Sequence, residues 1–190
     1  MLEIMRNINI VDLQSRIATG RDENAYKELF IFFYEPLFEF ARCLTKEHES
    51  AEEIVSDVMM KVWEMGEALA DIRSLKVYLY KSIKNRALNY LLRNHRSRMI
   101  SLDADDFAID MNSDFLDPEN NLIRKELQEG IAVAIHSLPP RCRVVYKLIR
   151  VDGLCYKEVA EIMGISVKTV DRHLNNALHK LVYSMKIYAE

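Results

Sequence analysis

Apolar residues recur every three or four positions along most of this 190-residue chain. The first stripe consists of Leu29, Phe33, Leu37, Phe40 and Leu44. Two further stripes consist of Ile54, Val58, Val62 and Met65, and of Leu75, Leu79, Ile83, Ala87 and Leu91. Such spacing places apolar side chains on one face of a helix, and no segment shows the alternation of a half-buried strand. Since only 5 glycines and 4 prolines interrupt it, the chain is predicted to be all-α.

The charges are segregated into blocks along the chain. Residues 21–71 carry 13 acids and 5 bases, whereas residues 74–98 carry seven bases and no acid. Residues 103–119 then hold seven acids and no lysine or arginine, and residues 141–186 hold 9 bases and 4 acids. The small net charge of -3 therefore conceals two basic blocks, and concentrated basic blocks attract phosphate.

These changes in charge and periodicity predict two helical domains. Residues 1–98 form the first domain, and residues 122–190 form the second, a four-helix domain. Between them, residues 99–121 lose the helical periodicity and are rich in aspartate, which favours an acidic linker. The alternative is that this stretch forms an acidic helix that covers one of the basic faces.

Local signals predict where the helices of the first domain begin and end. Ser50 is a candidate cap with Glu53 as its capping-box partner, and Gly66 follows as a stop signal. Ser74 is a candidate cap for the helix that carries the third apolar stripe. Pro36 would weaken or kink the first helix if it lies in the helix interior.

The segment from residue 156 to residue 183 has the spacing of a helix-turn-helix. Helices over residues 156–163 and 167–183 are separated by Gly164-Ile165-Ser166, in which the glycine can take a positive φ and the serine can cap the second helix. That helix exposes side chains that read base edges or hold phosphates in a major groove. The candidate DNA-binding residues are Ser166, Lys168, Thr169, Arg172, His173, Asn175 and Asn176. The alternative is a structural helical hairpin with a solvated polar face.

The acid-free stretch, residues 74–98, interleaves aromatic and basic side chains. Aromatic rings stack on unpaired bases while cations hold the backbone, so the pattern suits single-stranded or opening DNA. The candidate DNA-binding residues are Lys76, Tyr80, Lys81, Lys84, Asn85, Arg86, Asn89 and Arg93. The alternative is a core helix whose tyrosines are half-buried and whose basic side chains are merely solvated.

Residues 52–63 are predicted to form an acidic amphipathic helix. Met59 and Met60 are adjacent, so at most one of them can lie fully on the buried face, and an outward methionine adapts well to a protein partner. The candidate protein-docking residues are Glu53, Asp57, Met60 and Trp63. The alternative is a solvated face with Trp63 buried.

The sequence contains no recognisable catalytic or metal-binding motif. No Gly-rich phosphate loop, HExxH or nucleophile motif occurs, and the 5 histidines lack ligand spacing, so we expect no enzyme activity, metal or cofactor. Three scattered cysteines are too few for a disulfide framework. The N-terminus lacks the apolar core of a signal peptide, and the stretch from Leu29 to Phe33 is too short to span a membrane, which predicts a cytoplasmic protein.

Taken in order, these segments resemble the bacterial sigma factors of the extracytoplasmic-function (ECF) group of the sigma-70 family. The run AYKELFIFFYEPLFEFARCLTKEHESAEEIVSDVMMKVWE and the basic SLKVYLYKSIKNRALNYLLRNHR look like region 2. The run SLPPRCRVVYKLIRVDGLCYKEVAEIMGISVKTVDRHLNNALHKL looks like region 4. The helix-turn-helix occurs in many regulators, so the specific signal is the order of acidic helix, basic helix and helix-turn-helix.

The resemblance implies a protein that binds core RNA polymerase and directs it to promoters. It implies that the acidic helix around Asp57 docks on the coiled coil of the largest polymerase subunit. The basic helix would recognise and help melt the minus-10 element, and the second helix of the helix-turn-helix would read the minus-35 element. An anti-sigma factor, commonly membrane-linked in this group, is a further implied partner.

Two other functions fit parts of the sequence. A regulator that binds duplex DNA as a dimer would use the helix-turn-helix but would leave the acidic and acid-free helices unexplained. A helical interaction module without DNA binding would lack the steep salt dependence that phosphate contacts produce.

Overall fold

The computed structural model describes residues 8–95, 133–135 and 137–187, and the chain divides into two compact units, residues 1–100 and 101–190. Within the described ranges the regular structure is helical and includes no strand. This confirms the prediction of an all-α protein. No helix in the described part of the chain is long and apolar enough to cross a membrane.

In the first unit, the described residues form four α-helices and one short 3-10 helix. They are α1 (Ile10–Gly20), α2 (Glu23–Thr45), α3 (His48–Met65), the 3-10 helix Gly66–Asp71, and α4 (Leu75–His95). The long helix α2 packs against α1, α3 and α4, and α3 also packs against α4. Helices α3 and α4 therefore lie next to each other on a shared support.

The core of the first unit is built on the apolar stripe of α2. Leu29, Phe33, Leu37 and Phe40 are at most 2% exposed, and Leu44 is also buried. The stripes of α3 and α4 are buried too, at Ile54, Val58, Val62, Leu75, Leu79, Ile83 and Ala87. Burial of a large apolar side chain contributes about 1.5–3 kcal/mol, so this core fixes how α3 and α4 sit on α2.

The junction between α1 and α2 depends on Asp22. Its carboxylate accepts hydrogen bonds from the backbone N–H groups of Asn24 and Ala25, at 2.9 and 3.1 Å. The same carboxylate accepts two bonds from the Arg16 guanidinium, at 2.8 and 3.0 Å. The Ala25 N–H and then Arg16 lower the pKa of Asp22, because both favour the charged carboxylate.

Pro36 lies inside α2, and the helix continues beyond it for more than two further turns. The start of α3 differs from the sequence-based expectation. Helix α3 begins at His48 rather than after Ser50, because the Ser50 hydroxyl donates to the Glu47 carboxylate at 2.8 Å instead of capping the backbone. Gly66 ends α3 with a φ of 54°, as predicted.

In the second unit, residues 133–135 are helical, and the described residues also form three α-helices and a π-helical turn. They are α5 (Pro140–Tyr146), the π turn Lys147–Val151, α6 (Tyr156–Met163) and α7 (Val167–Ile187). A small apolar cluster joins residues 133–135 to α5 and α7, and its buried members are Ala134, Leu138, Cys142, Ala177 and Leu181. The predicted acidic linker and most of the predicted first helix of this domain lie outside the described residues.

A buried ion pair closes the π turn. The Lys147 ammonium donates to both carboxylate oxygens of Asp152, at 2.9 and 2.8 Å, and both side chains are 3% exposed. The backbone N–H of Asp152 also donates to the Lys147 carbonyl at 3.0 Å. Since a buried charge without its partner is strongly unfavourable, the pair fixes the turn between α5 and α6.

We expect Asp152→Ala to lower the free energy of unfolding of the second unit by about 3–5 kcal/mol, because Lys147 then loses its buried carboxylate. Urea denaturation followed by circular dichroism measures this difference. Asp171→Ala removes an equal charge at an exposed position of the same unit, and it should change the free energy by no more than about 0.5 kcal/mol. Equal losses in the two variants would contradict the role assigned to the buried pair.

Candidate nucleic-acid and protein interfaces

Helices α6 and α7 meet through the turn that the sequence predicts. Gly164 takes a φ of 70°, and the backbone N–H groups of Gly164 and Ile165 donate to the Ala160 carbonyl at 2.9 and 3.1 Å. The Ser166 Oγ accepts from the backbone N–H of Thr169 at 3.0 Å, and the two hydroxyls lie 2.8 Å apart. Ser166 therefore caps α7, as predicted.

Buried apolar side chains fix the crossing of α6 and α7. Val159, Val170 and Leu174 are at most 2% exposed. Met163 and Ile165 are half-buried. Helix α7 packs on α5 as well as on α6. Two helices hold one side of α7, and described side chains on its other side, such as Arg172 and Asn176, are exposed.

The predicted DNA-binding residues of α7 differ in exposure. The exposed members are Ser166, Lys168, Arg172, Asn175 and Asn176, which we call the α7 surface. Thr169 is half-buried and belongs to the cap. Because Lys168, Arg172 and Asn176 are spaced by four residues, they lie along one face of the helix. The α7 surface thus presents cations and amides together.

His173 lies at the contact between α7 and α5. Its Nδ1 is 3.5 Å from the Cys142 Sγ. Burial lowers the pKa of His173, and the cations of Arg172 and Arg141 lower it further, so the neutral imidazole is favoured. The half-buried ring of His173 thus contacts α5, and its role in DNA binding stays a prediction.

The predicted DNA-binding residues of α4 extend from its core face to its open face. The exposed members are Asn85, Arg86, Asn89 and Arg93, which we call the α4 surface. The half-buried members are Lys76, Lys81 and Lys84. Burial lowers the pKa of Lys84, and the charge of Lys81 lowers it further.

Tyr80 lies in the core, which corrects its assignment as a base-stacking residue. Its side chain is 1% exposed, and its ring centroid is 5.2 Å from that of Phe40 on α2. Its neighbours Leu79 and Ile83 are fully buried, so the apolar face of α4 is wide enough to include position 80. A ring in this position cannot meet a base while α2 and α4 stay packed.

The predicted protein-docking residues lie at the outer face of α3. Met60 is 58% exposed and Met59 is fully buried, which confirms that the two adjacent methionines divide between surface and core. Glu53 and Asp57 are exposed, and Trp63 is half-buried. We call Glu53, Asp57, Met60 and Trp63 the α3 surface.

Trp63 is held at the edge of the α3 surface by residues that precede α3 in the chain. Its ring centroid lies 5.0 Å from that of Tyr26, and the Arg21 guanidinium lies 5.6 Å from the ring centroid. The same guanidinium donates to the Trp63 carbonyl at 3.0 Å. The ring is therefore fixed in place while part of it stays exposed. The sequence allowed either an exposed docking residue or a buried tryptophan, and Trp63 lies between the two.

Two polar contacts join α4 to α3 and to Glu47, the residue that precedes α3. The Arg86 guanidinium donates to the Asp57 carboxylate, so a residue of the α4 surface pairs with a residue of the α3 surface. The Tyr90 hydroxyl donates to the Glu47 carboxylate, and this bond is the main cause that lowers the pKa of Glu47. The partners are 29 and 43 residues apart in sequence, so no local pattern predicts these contacts.

The described part of the chain does not bring together a metal site. No group of three or more His, Cys, Asp or Glu side chains among these residues is arranged to hold an ion. The surfaces on α3, α4 and α7 instead offer charges, amides and one methionine for contacts with large partners.

Two protein-family descriptions match the chain. Sigma-70 region 2 matches residues 33–97, which include α3 and α4, and Sigma-70, region 4 matches residues 128–181, which include α5 and α6. The ECF RNA polymerase sigma-E factors of Haemophilus influenzae and Escherichia coli K12 are each 28% identical over 123 residues, or 62% of this chain. The match spans 65% and 64% of those relatives, just under two thirds of their length.

Two solved structures share the fold. The sigma factor RpoE from Bartonella quintana, in complex with the anti-sigma factor NepR, has a TM-score of 0.61 and 23% identity, over 85% of this chain and 97% of that one. CnrH, in complex with the cytosolic domain of CnrY, has a TM-score of 0.59 and 20% identity, over 94% of this chain and 99% of that one. At these identities the likeness concerns the fold.

The lowered pKa of His173 predicts a pH dependence of the second unit. Between its folded-state pKa and the ordinary histidine value of about 6.5, the unfolded chain binds more protons than the folded chain. The free energy of unfolding should therefore have its full value above about pH 6.5 and decrease as the pH falls below that value. Chemical denaturation at a series of pH values should show a smaller decrease for His173→Gln than for the wild type. The same pH dependence in both proteins would contradict the prediction.

Proposed function

We propose a function from the premise that this chain belongs to the ECF group of the sigma-70 family of bacterial RNA polymerase sigma factors. The chain binds core RNA polymerase and directs it to promoters by recognising minus-10 and minus-35 elements. One observation carries the proposal: a region 2 match and a region 4 match occur in one chain, and each contains an exposed surface suited to nucleic acid.

The α7 surface is assigned to the minus-35 element. A helix that follows a capped turn can enter the major groove with its N-terminal residues against base edges. Arg172, Asn175 and Asn176 carry donors that suit base edges, while Lys168 and the Ser166 cap suit phosphates. Thr169 and His173 contribute by holding the cap and the α5 contact.

The α4 surface is assigned to the minus-10 element. Arg86 and Arg93 can hold the phosphate backbone, and the amides of Asn85 and Asn89 can bond to unpaired bases. The half-buried lysines of α4 add positive charge beside them without lying fully on the open face. Tyr80 supports this surface from the core through its packing on α2.

The α3 surface is assigned to core polymerase. Glu53 and Asp57 supply negative charge, and the exposed Met60 supplies an adaptable apolar contact beside the fixed ring of Trp63. A basic and partly apolar helix of the polymerase has the matching chemistry. Acidic groups on α3 would also keep this helix away from DNA phosphates.

The two DNA-contacting surfaces act together through the polymerase. Phosphate contacts give affinity and register, and a few base contacts give selectivity of about 1–3 kcal/mol each. Neither basic block, with net charges of +7 over residues 74–98 and +5 over residues 141–186, is large enough to hold a promoter strongly alone. Tethering residues 1–98 and residues 122–190 to one polymerase raises the effective concentration of each at its element.

The chain is also expected to have a regulatory partner and to act in one compartment. An anti-sigma factor, membrane-linked in some relatives of this group, would hold the chain inactive by occupying the surfaces that polymerase and DNA need. The chain acts in the cytoplasm, where core polymerase and promoters are. It performs no catalytic step of its own, since the polymerase supplies the chemistry.

We expect Arg172→Ala to reduce discrimination between a promoter and its minus-35 variants by about 5- to 150-fold, because a base contact is lost. Quantitative footprinting of the reconstituted holoenzyme measures the promoter occupancy. Lys180→Ala, on the same helix two turns further on, removes an equal charge and should lower occupancy of all templates alike. Unchanged discrimination in Arg172→Ala would remove this residue from base reading.

We expect Asp57→Lys to weaken binding to core polymerase by at least about 10-fold, because the substitution places a cation against a cationic partner. Pull-down or fluorescence titration with labelled core polymerase measures the affinity. Glu28→Lys makes the same change of charge at an exposed position of α2 and serves as the control. If both variants bind polymerase equally well, the α3 surface is not the docking surface.

A further inference from the structure

The ion pair between α3 and α4 connects two residues to which the proposed function gives different partners. Asp57 belongs to the α3 surface and Arg86 to the α4 surface, and in this structure they bind each other. We infer that Asp57 restrains Arg86 in the free protein, and that docking of the α3 surface on core polymerase releases Arg86 for a DNA phosphate. This inference rests on the proposed function and specifies how polymerase binding controls the α4 surface.

The ion pair lies where polymerase can replace Arg86 as the partner of Asp57 and DNA can replace Asp57 as the partner of Arg86. The side chains of Arg86 and Asp57 are 43% and 48% exposed, so both charged ends can be reached from solvent. The core beneath them does not depend on the pair, because α3 and α4 are held by their apolar stripes on α2. Exchange of the partner therefore moves side chains and leaves the helices in place.

The chemistry of the two groups suits this exchange. A guanidinium binds a carboxylate and a phosphate with the same fork of N–H donors, so Arg86 can pass from Asp57 to DNA without a change in geometry. A carboxylate that pairs with a cation of the polymerase is no longer available to Arg86. Because such coupling is reciprocal, DNA that binds Arg86 also favours polymerase binding at Asp57.

Restraint of Arg86 removes much of the charge of the α4 surface. Of its four residues, Asn85 and Asn89 are neutral, so Arg86 and Arg93 supply its formal charge. Pairing with Asp57 neutralises one of these two. Free protein thus presents a weaker surface to nucleic acid than polymerase-bound protein does.

A second contact keeps α4 in position during the exchange. The Tyr90 hydroxyl donates to the Glu47 carboxylate, one helical turn beyond Arg86. This contact involves residues outside the α3 and α4 surfaces, so polymerase docking need not disturb it. Release of Arg86 is then a local change and does not require α4 to shift.

The restraint is tested first with the free full-length chain and a fluorescein-labelled single-stranded DNA of mixed sequence, because a phosphate contact does not depend on sequence. Asp57→Asn should raise the affinity about two- to fivefold, which is the range expected for an exposed ion pair. Arg86→Ala should have little effect, and the double variant should show no gain. Fluorescence anisotropy at low salt measures each affinity.

Glu64→Gln is the matched control for the free chain. It removes one negative charge from the same helix, where Glu64 pairs with Lys61 at 3.5 Å rather than with Arg86. An equal gain in Asp57→Asn and Glu64→Gln would show a general effect of charge and would overturn the inference. A gain that persists in the double variant would overturn it as well.

The release is tested with the holoenzyme formed by the full-length chain and saturating core polymerase. Arg86→Ala should weaken binding of the same DNA by about two- to fivefold in the holoenzyme while leaving the free chain nearly unchanged. An equal loss in both states would overturn the inference. Start-site selection by the wild-type holoenzyme is measured in parallel. If selection occurs without this difference, the inference alone fails, and if no selection occurs, the proposed function fails with it.

Discussion

The arrangement of the first unit depends on burial of the apolar stripe of α2. Phe33, Leu37 and Phe40 are buried on α2, which packs against both α3 and α4, and this packing sets the two helices side by side. An acidic helix and a helix without acids then share one support, with their polar faces outward. Opposite charges meet at the edge between them, as the pairing of Asp57 with Arg86 shows. The core therefore decides which surfaces exist and also that they are neighbours.

In the second unit, a smaller core holds the exposed helix α7 in place. Helix α7 is held by α5 and α6, and the tight turn at Gly164 with the Ser166 cap fixes where α7 begins. The buried pair of Lys147 and Asp152 fixes the turn that brings α6 into place. Side chains that read bases need a rigid support, since small displacements cost affinity. In this unit the support consists of helix packing and one buried charge pair.

Helices and their ends could largely be predicted, because they depend on neighbours in sequence. The three-and-four spacing identifies the buried faces. Ser166 caps the start of α7, and Gly66 ends α3, where the chemistry of each residue requires it. Tyr80, a candidate for DNA binding from its basic neighbours, lies in the core, because spacing alone does not give the width of a buried face. The partners of Arg86 and His173 could not be predicted either, since both contacts join segments distant in sequence.

We propose that one chain provides polymerase with surfaces for two promoter elements. Run-off transcription with purified full-length chain and core polymerase on genomic fragments measures whether it does. We expect transcripts from fixed start sites that core polymerase alone does not use, and loss of those transcripts when either element upstream of the start is changed. Transcripts identical to those of core polymerase alone would rule out this function.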